Sequence, residues 1–457
     1  MKICPVRILP QRLGTTASLQ NRGLEINGGR AASVEEVEDE EEGEVYEQEF
    51  PEEKQAGAAY RGCKTQFEQL REEQKANGWE PWNPFKDLDE WELARWMATS
   101  GLSQGKMTEF LKLKVIQDKV QPSFTNTQTF FELIDSLPSG PRWSCTPFVL
   151  TVDKVGLDGE QKTMTLEFWH RNILDCVREL LGNPQLGDQA FEPRRIFTSK
   201  SEAGVGVNRE YSEMCTGDWW WETQLKLPIG ATICPLIIAS DSTQLTRFSG
   251  DQKAWAVYLG SGNSDADIRS KASSGATVLL GYIPVAKMEM FAKERRSEII
   301  HQLFHDCMAT VLQPLKDAGL DGVAVECYDG FVRMIHAILA AYIADYPEQC
   351  LVACVRENSC PICLVNPRQR GEYDKDNPPD PRNRDDTLRV IAAKSQGEHP
   401  PEFIEQNLHL TRPFWQNLPE TDIFSSFTPD LLHEIHNGVF GDHIVAWSSA
   451  AMEGVGP

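Results

Sequence analysis

The chain has 457 residues, enough for two or three domains at about 150 residues each. Hydrophobic residues make up 40% and charged residues 25%, which excludes a wholly disordered chain, and no run approaches the ~20 apolar residues of a membrane span. The net charge of −23 argues against broad phosphate binding; removing the twelve Asp and Glu of residues 35–53 still leaves −11. Met1 to Arg12 lacks the apolar core and small-residue cleavage site of a secretory signal. Most of the twelve cysteines are scattered through apolar segments, the pattern of reduced thiols in an intracellular protein, with one cluster between Cys350 and Cys363.

Residues 1–57 are polar, acidic and aperiodic, and read as a disordered acidic tail. Residues 58–120 read as a helical region. Within it, DEWELARWMATSGLSQGKMTEFLKL gives two helices, the first striped by Trp91, Leu93, Ala94 and Trp96, broken at Ser100-Gly101, the second capped by Ser103. This is the outline of a helix-turn-helix and equally of any packed helix pair; Lys106, Lys112 and Lys114 are the only cations on the second helix.

Residues 121–228 read as mixed α/β. FVLTVDKVGLDGEQKTMTLEFWHR predicts a hairpin about Gly156–Gly159, and WHRNILDCVRELLG a helix ending at Gly182. Trp219, Trp220 and Trp221 cannot share one face of a helix or strand, which places them between two packed surfaces. Residues 229–365 alternate strand and helix patterns: ATICPLIIASD, AWAVYLGSGN and TVLLGYIPV, an amphipathic helix from Ser297 closed by Gly319, then GVAVECYDG and MIHAILAAYIADYP. The fold class is therefore α/β (α+β) with a mixed sheet. In that helix, HDC at 305–307 faces the core. Residues 366–457 read as a polar, Pro-rich loop to about residue 400, then an apolar, His-bearing helical stretch.

Two constellations carry chemistry. Asp241 and Asp345 each end an apolar run, so each carboxylate can face a cleft while its strand stays buried; together they could hold Mg²⁺, a hard ion that prefers oxygen. Taken singly, each is equally a turn or helix cap. Cys360 and Cys363 form a C-x-x-C, and His433 and His436 an H-x-x-H; the four could build a structural Zn²⁺ site, with Cys350, Cys354 or His409 as alternative ligands. Reduced structural thiols are the plain alternative. No Walker A sequence, strand-borne G-x-G-x-x-G or G-x-S-x-G elbow is present.

The blocks ASDSTQLTRFSGDQKAWAVYLGSGN, VLLGYIPVAK, ILAAYIADYPEQCLVACVRENSCPIC and FTPDLLHEIHNGVFGDHIVAW resemble consecutive blocks of Plavaka-type DNA transposases, of the Kyakuja–Dileera–Zisupton group of fungal mobile elements related to the CACTA type. DEWELARWMATSGLSQ and GDWWWETQ fit in order, so the resemblance covers roughly residues 60–457. It implies an RNase H-like catalytic core that cuts and joins DNA with an Asp-Asp-Glu triad and two Mg²⁺ (or Mn²⁺) ions. It also implies transposon-end DNA as partner, a homo-oligomer, and a nuclear location. Asp241 resembles the first carboxylate, Asp345 the second, Cys360/Cys363 the family's C-x-x-C, and Asp430/His433 its D-x-x-H. The family's glutamate lies on a late helix after a large insertion, and no Glu of this sequence is assigned to it. The expectation is a truncated or inactive copy, with a non-catalytic, zinc-stabilised DNA- or protein-binding remnant as the alternative. GSGNSDADIRSKASSGA also departs from the more apolar block, resembling TIGNI, of related sequences.

Overall fold

In a computed structural model of the chain, residues 45–155, 160–200, 206–244, 253–370, 372 and 376–453 are described. The expected disordered tail falls mostly outside them. Its last part is structured: Tyr46–Glu49 is a strand, and the ring of the buried Phe50 meets that of Trp221 edge-on at 4.9 Å. That apolar anchor sits within the acidic run of the sequence.

By contact the chain forms two units, one of residues 1–48, 74–138 and 196–210, the other of 49–73, 139–195 and 211–457. The first unit carries helices α1 (Leu88–Thr99), α2 (Gln104–Leu111) and α3 (Thr127–Ser136). Asp87, Ser103 and Asn126 cap them, each accepting from the backbone N–H three residues on. Met97, Phe124 and Phe130 are fully buried among them. The buried stripe of α1 is Glu90, Ala94 and Met97, so the expected stripe is rotated: Trp96 is 51% exposed. The Glu90 carboxylate is buried because the backbone N–H groups of Lys86 and Ser123 donate to it.

The second unit is built on one large mixed sheet. Its labelled strands are β1 (Trp143–Val155), β2 (Gln161–Arg171), β3 (Ala231–Gln244), β4 (Lys253–Ser261), β5 (Thr277–Ile283), β6 (Val323–Glu326), β7 (Phe331–Ala344) and β8 (Phe427–Pro429). They lie in the order β6-β7-β3-β4-β5-β2-β1, and β8 pairs with the C-terminal half of β7. β3, β4 and β5 form an antiparallel meander; β7 runs parallel to β3, and β8 parallel to β7. A meander continued by two parallel strands makes the mixed sheet expected above, in the strand arrangement an RNase H-like core requires.

The period-two alternation of a strand divides β3 cleanly. Cys234, Leu236 and Ile238 enter the main core, while Ala231 and Ile233 join a second cluster around Trp220 on the opposite face. The main core is covered by α4 (Ile173–Gly182) and by α6 (Arg296–Leu312), which buries Leu303, Phe304, Cys307, Met308 and Val311. His305 is fully buried there, as its spacing implied. α6 stops at Leu312 rather than near Gly319, because Pro314 interrupts the ladder before a short helix at Leu315–Leu320.

The tryptophan reading holds, and a loop reading is corrected. The tryptophan triplet is helical: α5 (Asp218–Lys226) buries Trp220 and Trp221 and leaves Trp219 partly covered. A helix can do this when packed on two sides. The polar stretch after residue 366 also contains a helix, α8 (Arg384–Ser395), capped by Asn383, which accepts from Asp386 N at 2.9 Å. Its buried side, Thr387, Val390 and Ile391, is too narrow to stand out among charges.

Candidate active site

β7 and β8 end level with Asp241 of β3, a strand that itself runs on to Gln244. Ile343 of β7 faces Ala239 of β3, so continuing the register sets Asp345 opposite Asp241. Ala344 of β7 faces Pro429 of β8, and Asp430 N donates to Ala344 O at 3.2 Å, so Asp430 stands at the same level on the third strand. Three carboxylates thus crown three adjacent parallel strands, the edge at which α/β sheets present their chemistry.

Each carboxylate is held differently. Asp241 is half-buried and accepts from the Thr243 hydroxyl through Oδ2. Asp345 caps α7 (Tyr346–Val352): Oδ1 accepts from Glu348 N at 2.9 Å, and Oδ2 has no hydrogen-bond partner among the described residues. Asp430 accepts from Leu432 N at 2.9 Å and shares a 2.8 Å hydrogen bond with His433 Nδ1. Burial works to raise Asp430, but the hydrogen bonds from His433 and Leu432 outweigh it and hold the carboxyl below its ordinary value. His433 is pushed up by its hydrogen bond to Asp430, against burial, and by the charges of Asp430, Asp241 and Asp345. One imidazole therefore senses all three carboxylates.

Two glutamates complete the surroundings. Glu348 is 7% exposed on the core side of the same strand ends. Its carboxylate accepts from the Ser240 hydroxyl and from Trp255 Nε1 at 3.1 and 3.2 Å, and Ser240 also meets the Tyr342 hydroxyl at 2.6 Å. Burial pushes Glu348 up to about 7; the Ser240 and Trp255 hydrogen bonds oppose this, and repulsion from Asp345 and Asp241 adds to it. Glu434, from the widened π-type helix Leu432–Val445, accepts from Tyr346 N at 3.0 Å, the peptide next to Asp345. So a Glu does reach the neighbourhood that the sequence reading left without one. The signals were local: Glu348 lies three residues after Asp345, the capping-box spacing, and Glu434 four after Asp430.

A family model for Plavaka transposases matches residues 124–448, about 71% of the chain, and spans the whole carboxylate edge. The chain belongs to the Plavaka transposase family. A search of curated proteins finds no match. In this Plavaka-family chain α1 and α2 lie outside the matched residues, so the match carries nothing about a helix-turn-helix.

The zinc candidates are not gathered at one point. Cys360 and Cys363 do meet: burial raises the Cys363 thiol, and its hydrogen bond with Cys360 raises it further. The Arg382 guanidinium lies beside them, donating to Cys360 O at 2.8 Å and to Gln406 O at 3.2 Å. Burial lowers Arg382, opposed by Cys360, Cys363 and Cys350. His433 is instead committed to Asp430, and His436 is exposed. Among the described residues no three His, Cys, Asp or Glu side chains form a metal-holding group. Every described cysteine is free. No helix among the described residues is long and apolar enough to cross a membrane.

Proposed function

We propose that this Plavaka-family transposase cleaves and joins DNA phosphodiesters at the carboxylate edge, with Asp241 and Asp345 holding Mg²⁺ or Mn²⁺. The level register of β3, β7 and β8, which sets three aspartates side by side, is the observation that carries the reading. The donor set fits the ion: all oxygen, with the Asp345 Oδ2 not engaged by any described residue. When bound, such ions lower the pKa of the attacking water or hydroxyl and offset charge on the leaving oxygen. The chain's own groups do the rest. The α7 cap fixes the Asp345 rotamer, the strand register fixes Asp241, and the Asp430–His433 pair supplies a proton donor or acceptor beside both. Glu434, on the Tyr346 peptide, is the glutamate best placed to add an anionic ligand after a small rotation.

The test is a cleavage and joining assay on DNA bearing the element's ends, with Mg²⁺ or Mn²⁺. Asp241→Asn and Asp345→Asn should each abolish turnover while leaving the circular dichroism unchanged. Full activity in either variant would refute the assignment.

A further inference from the structure

The sheet face that carries Asp241 continues away from the carboxylate edge as a row of aromatic side chains. Asp241 faces Ala256 on β4, so Tyr258, two residues on, shares its face. Ala256 faces Tyr282 on β5, Tyr282 faces Trp169 on β2, and Arg171 faces Trp143 on β1. The contacts between them agree with this register. Burial, then the Asp241 charge, raises the Tyr258 hydroxyl. Burial and Tyr258 raise Tyr282, and Arg171 pulls it back. Tyr282 stacks on Trp143 at 5.9 Å and 15°, and the Arg171 guanidinium lies 4.6 Å above the Trp143 ring. At the near end of the face Trp220 of α5 covers Ala231 and Ile233, whereas at this end Trp169 keeps 40% of its surface exposed.

Arg171 makes no ion pair with a described residue, and its buried Nε has no hydrogen-bond partner. It is a cation with donor capacity to spare, stacked over a ring, and its charge also acts on the nearby Glu179 carboxylate. From β3 to β1 the row crosses four strand spacings, or ~19 Å.

We propose that an unpaired DNA strand lies along this row, its bases stacked on Trp143, Trp169 and Tyr282, a phosphate on Arg171, and its reacting phosphodiester at Asp241. The proposal rests on the function given above. Two features select a single strand over a duplex. Ring faces are available only to bases that are not already paired and stacked. A duplex is held largely by many Lys and Arg contacts, which a chain of net charge −23 offers sparingly; on this row Arg171 is the cation named above. Stacking needs little charge, which reconciles an acidic protein with a nucleic-acid substrate.

The experiment is fluorescence anisotropy of a labelled single strand of about 12 nucleotides with the full chain, without divalent metal so that no cleavage occurs. Trp143→Ala and Trp169→Ala should each weaken binding about tenfold. Trp143→Phe should recover most of it. Trp79→Ala, which removes an exposed ring elsewhere, should change nothing. The salt dependence should be shallow, log K against log salt falling with a slope near about −0.7 for the one phosphate on Arg171. Unchanged affinity in both tryptophan variants, or a slope several times steeper, would overturn the proposal. If Trp143→Ala does not fold, Trp169→Ala decides alone. Asp241→Asn should still bind the strand, so a failure of the metal assignment leaves this result readable.

Discussion

One helix joins two very different clusters. α7 begins at Asp345, among the carboxylates, and contains Cys350, which neighbours the Cys360/Cys363 turn. The carboxylate edge draws on residues more than a hundred positions apart and is set by strand register. The thiol cluster is local, its C-x-x-C closed by a turn and its cationic neighbour Arg382 only 19 residues past Cys363. Parallel register brings together groups with no sequence relation and leaves their charges opposed, a state that a divalent cation relieves. The local turn brings two thiols together, and a buried guanidinium already supplies the positive charge. On the proposed function the first cluster would gain from a metal, whereas the second already has a cation beside it.

The largest expected effect follows from that contrast. Asp241→Asn should lower DNA cleavage by at least about 10²-fold, since loss of one anionic ligand loosens the ion by the ~1 Å that suffices for such a cost. Cys360→Ser with Cys363→Ser should leave cleavage within a few-fold of the parent. Zinc found by elemental analysis, together with loss of cleavage in the thiol variant, would break the comparison and restore a zinc role for the C-x-x-C.

Glu348 provides the second effect, on stability. Its folded value of about 7 lies above the ordinary 4.5, so the folded state binds the proton more tightly than the unfolded state. That contribution is complete below pH 4.5 and is lost as pH rises through about 7. Glu348→Gln removes the loss. Relative to the parent, the variant should gain about 3 kcal/mol between pH 4 and 8 in metal-free buffer. Urea unfolding at both pH values measures it, and a difference independent of pH would show that Glu348 stays ionised.

At the thiol cluster the expected effect is smaller. Arg382→Met strands the carbonyls of Cys360 and Gln406, at a cost of about 1–3 kcal/mol. Arg382 also lowers the Cys363 and Cys350 thiols against the burial that raises them, so the variant should be alkylated more slowly by iodoacetamide near pH 8.5. Faster alkylation would mean that the guanidinium shields the thiols rather than activating them.

The sequence told which segments are strands, because ATICPLIIASD and MIHAILAAYIAD are apolar runs with abrupt polar stops; Asp345 does follow the end of its strand, whereas β3 runs three residues past Asp241. It did not tell their register, since parallel strands are joined by long crossovers and no turn chemistry fixes the pairing. Hence Asp430 is legible only through the resemblance, and Glu434 is not legible at all. His433 and His436 were grouped as an i, i+3 pair on a regular helix, but the segment is a widened π-type helix in which that spacing no longer defines one face. Asp430, three residues before His433, was the better partner by proximity. Trp143, Trp169 and Tyr282 were legible only as strand residues, because the face they share depends on three pairings at once.

The smallest effect separates the two duties of Asp345. Its Oδ1 caps α7 through Glu348 N, a bond that also fixes where Glu348 enters the core beside Ser240 and Trp255. On the proposed function its charge would serve the metal. Asparagine keeps an oxygen able to cap and loses the charge; alanine loses both. Removal of a helix cap costs about 1 kcal/mol, whereas exchange of Asp for Asn at a cap costs little. In metal-free buffer Asp345→Ala should therefore be less stable than Asp345→Asn by about 1 kcal/mol, while both are equally inactive in cleavage. The asparagine variant should even match or exceed the parent in stability, because it relieves repulsion with Asp241 and Glu348 that no cation then offsets. Added Mg²⁺ should stabilise the parent and neither variant. If instead the two variants unfold at the same urea concentration, the cap contributes nothing, and Asp345 is held by the strand register alone.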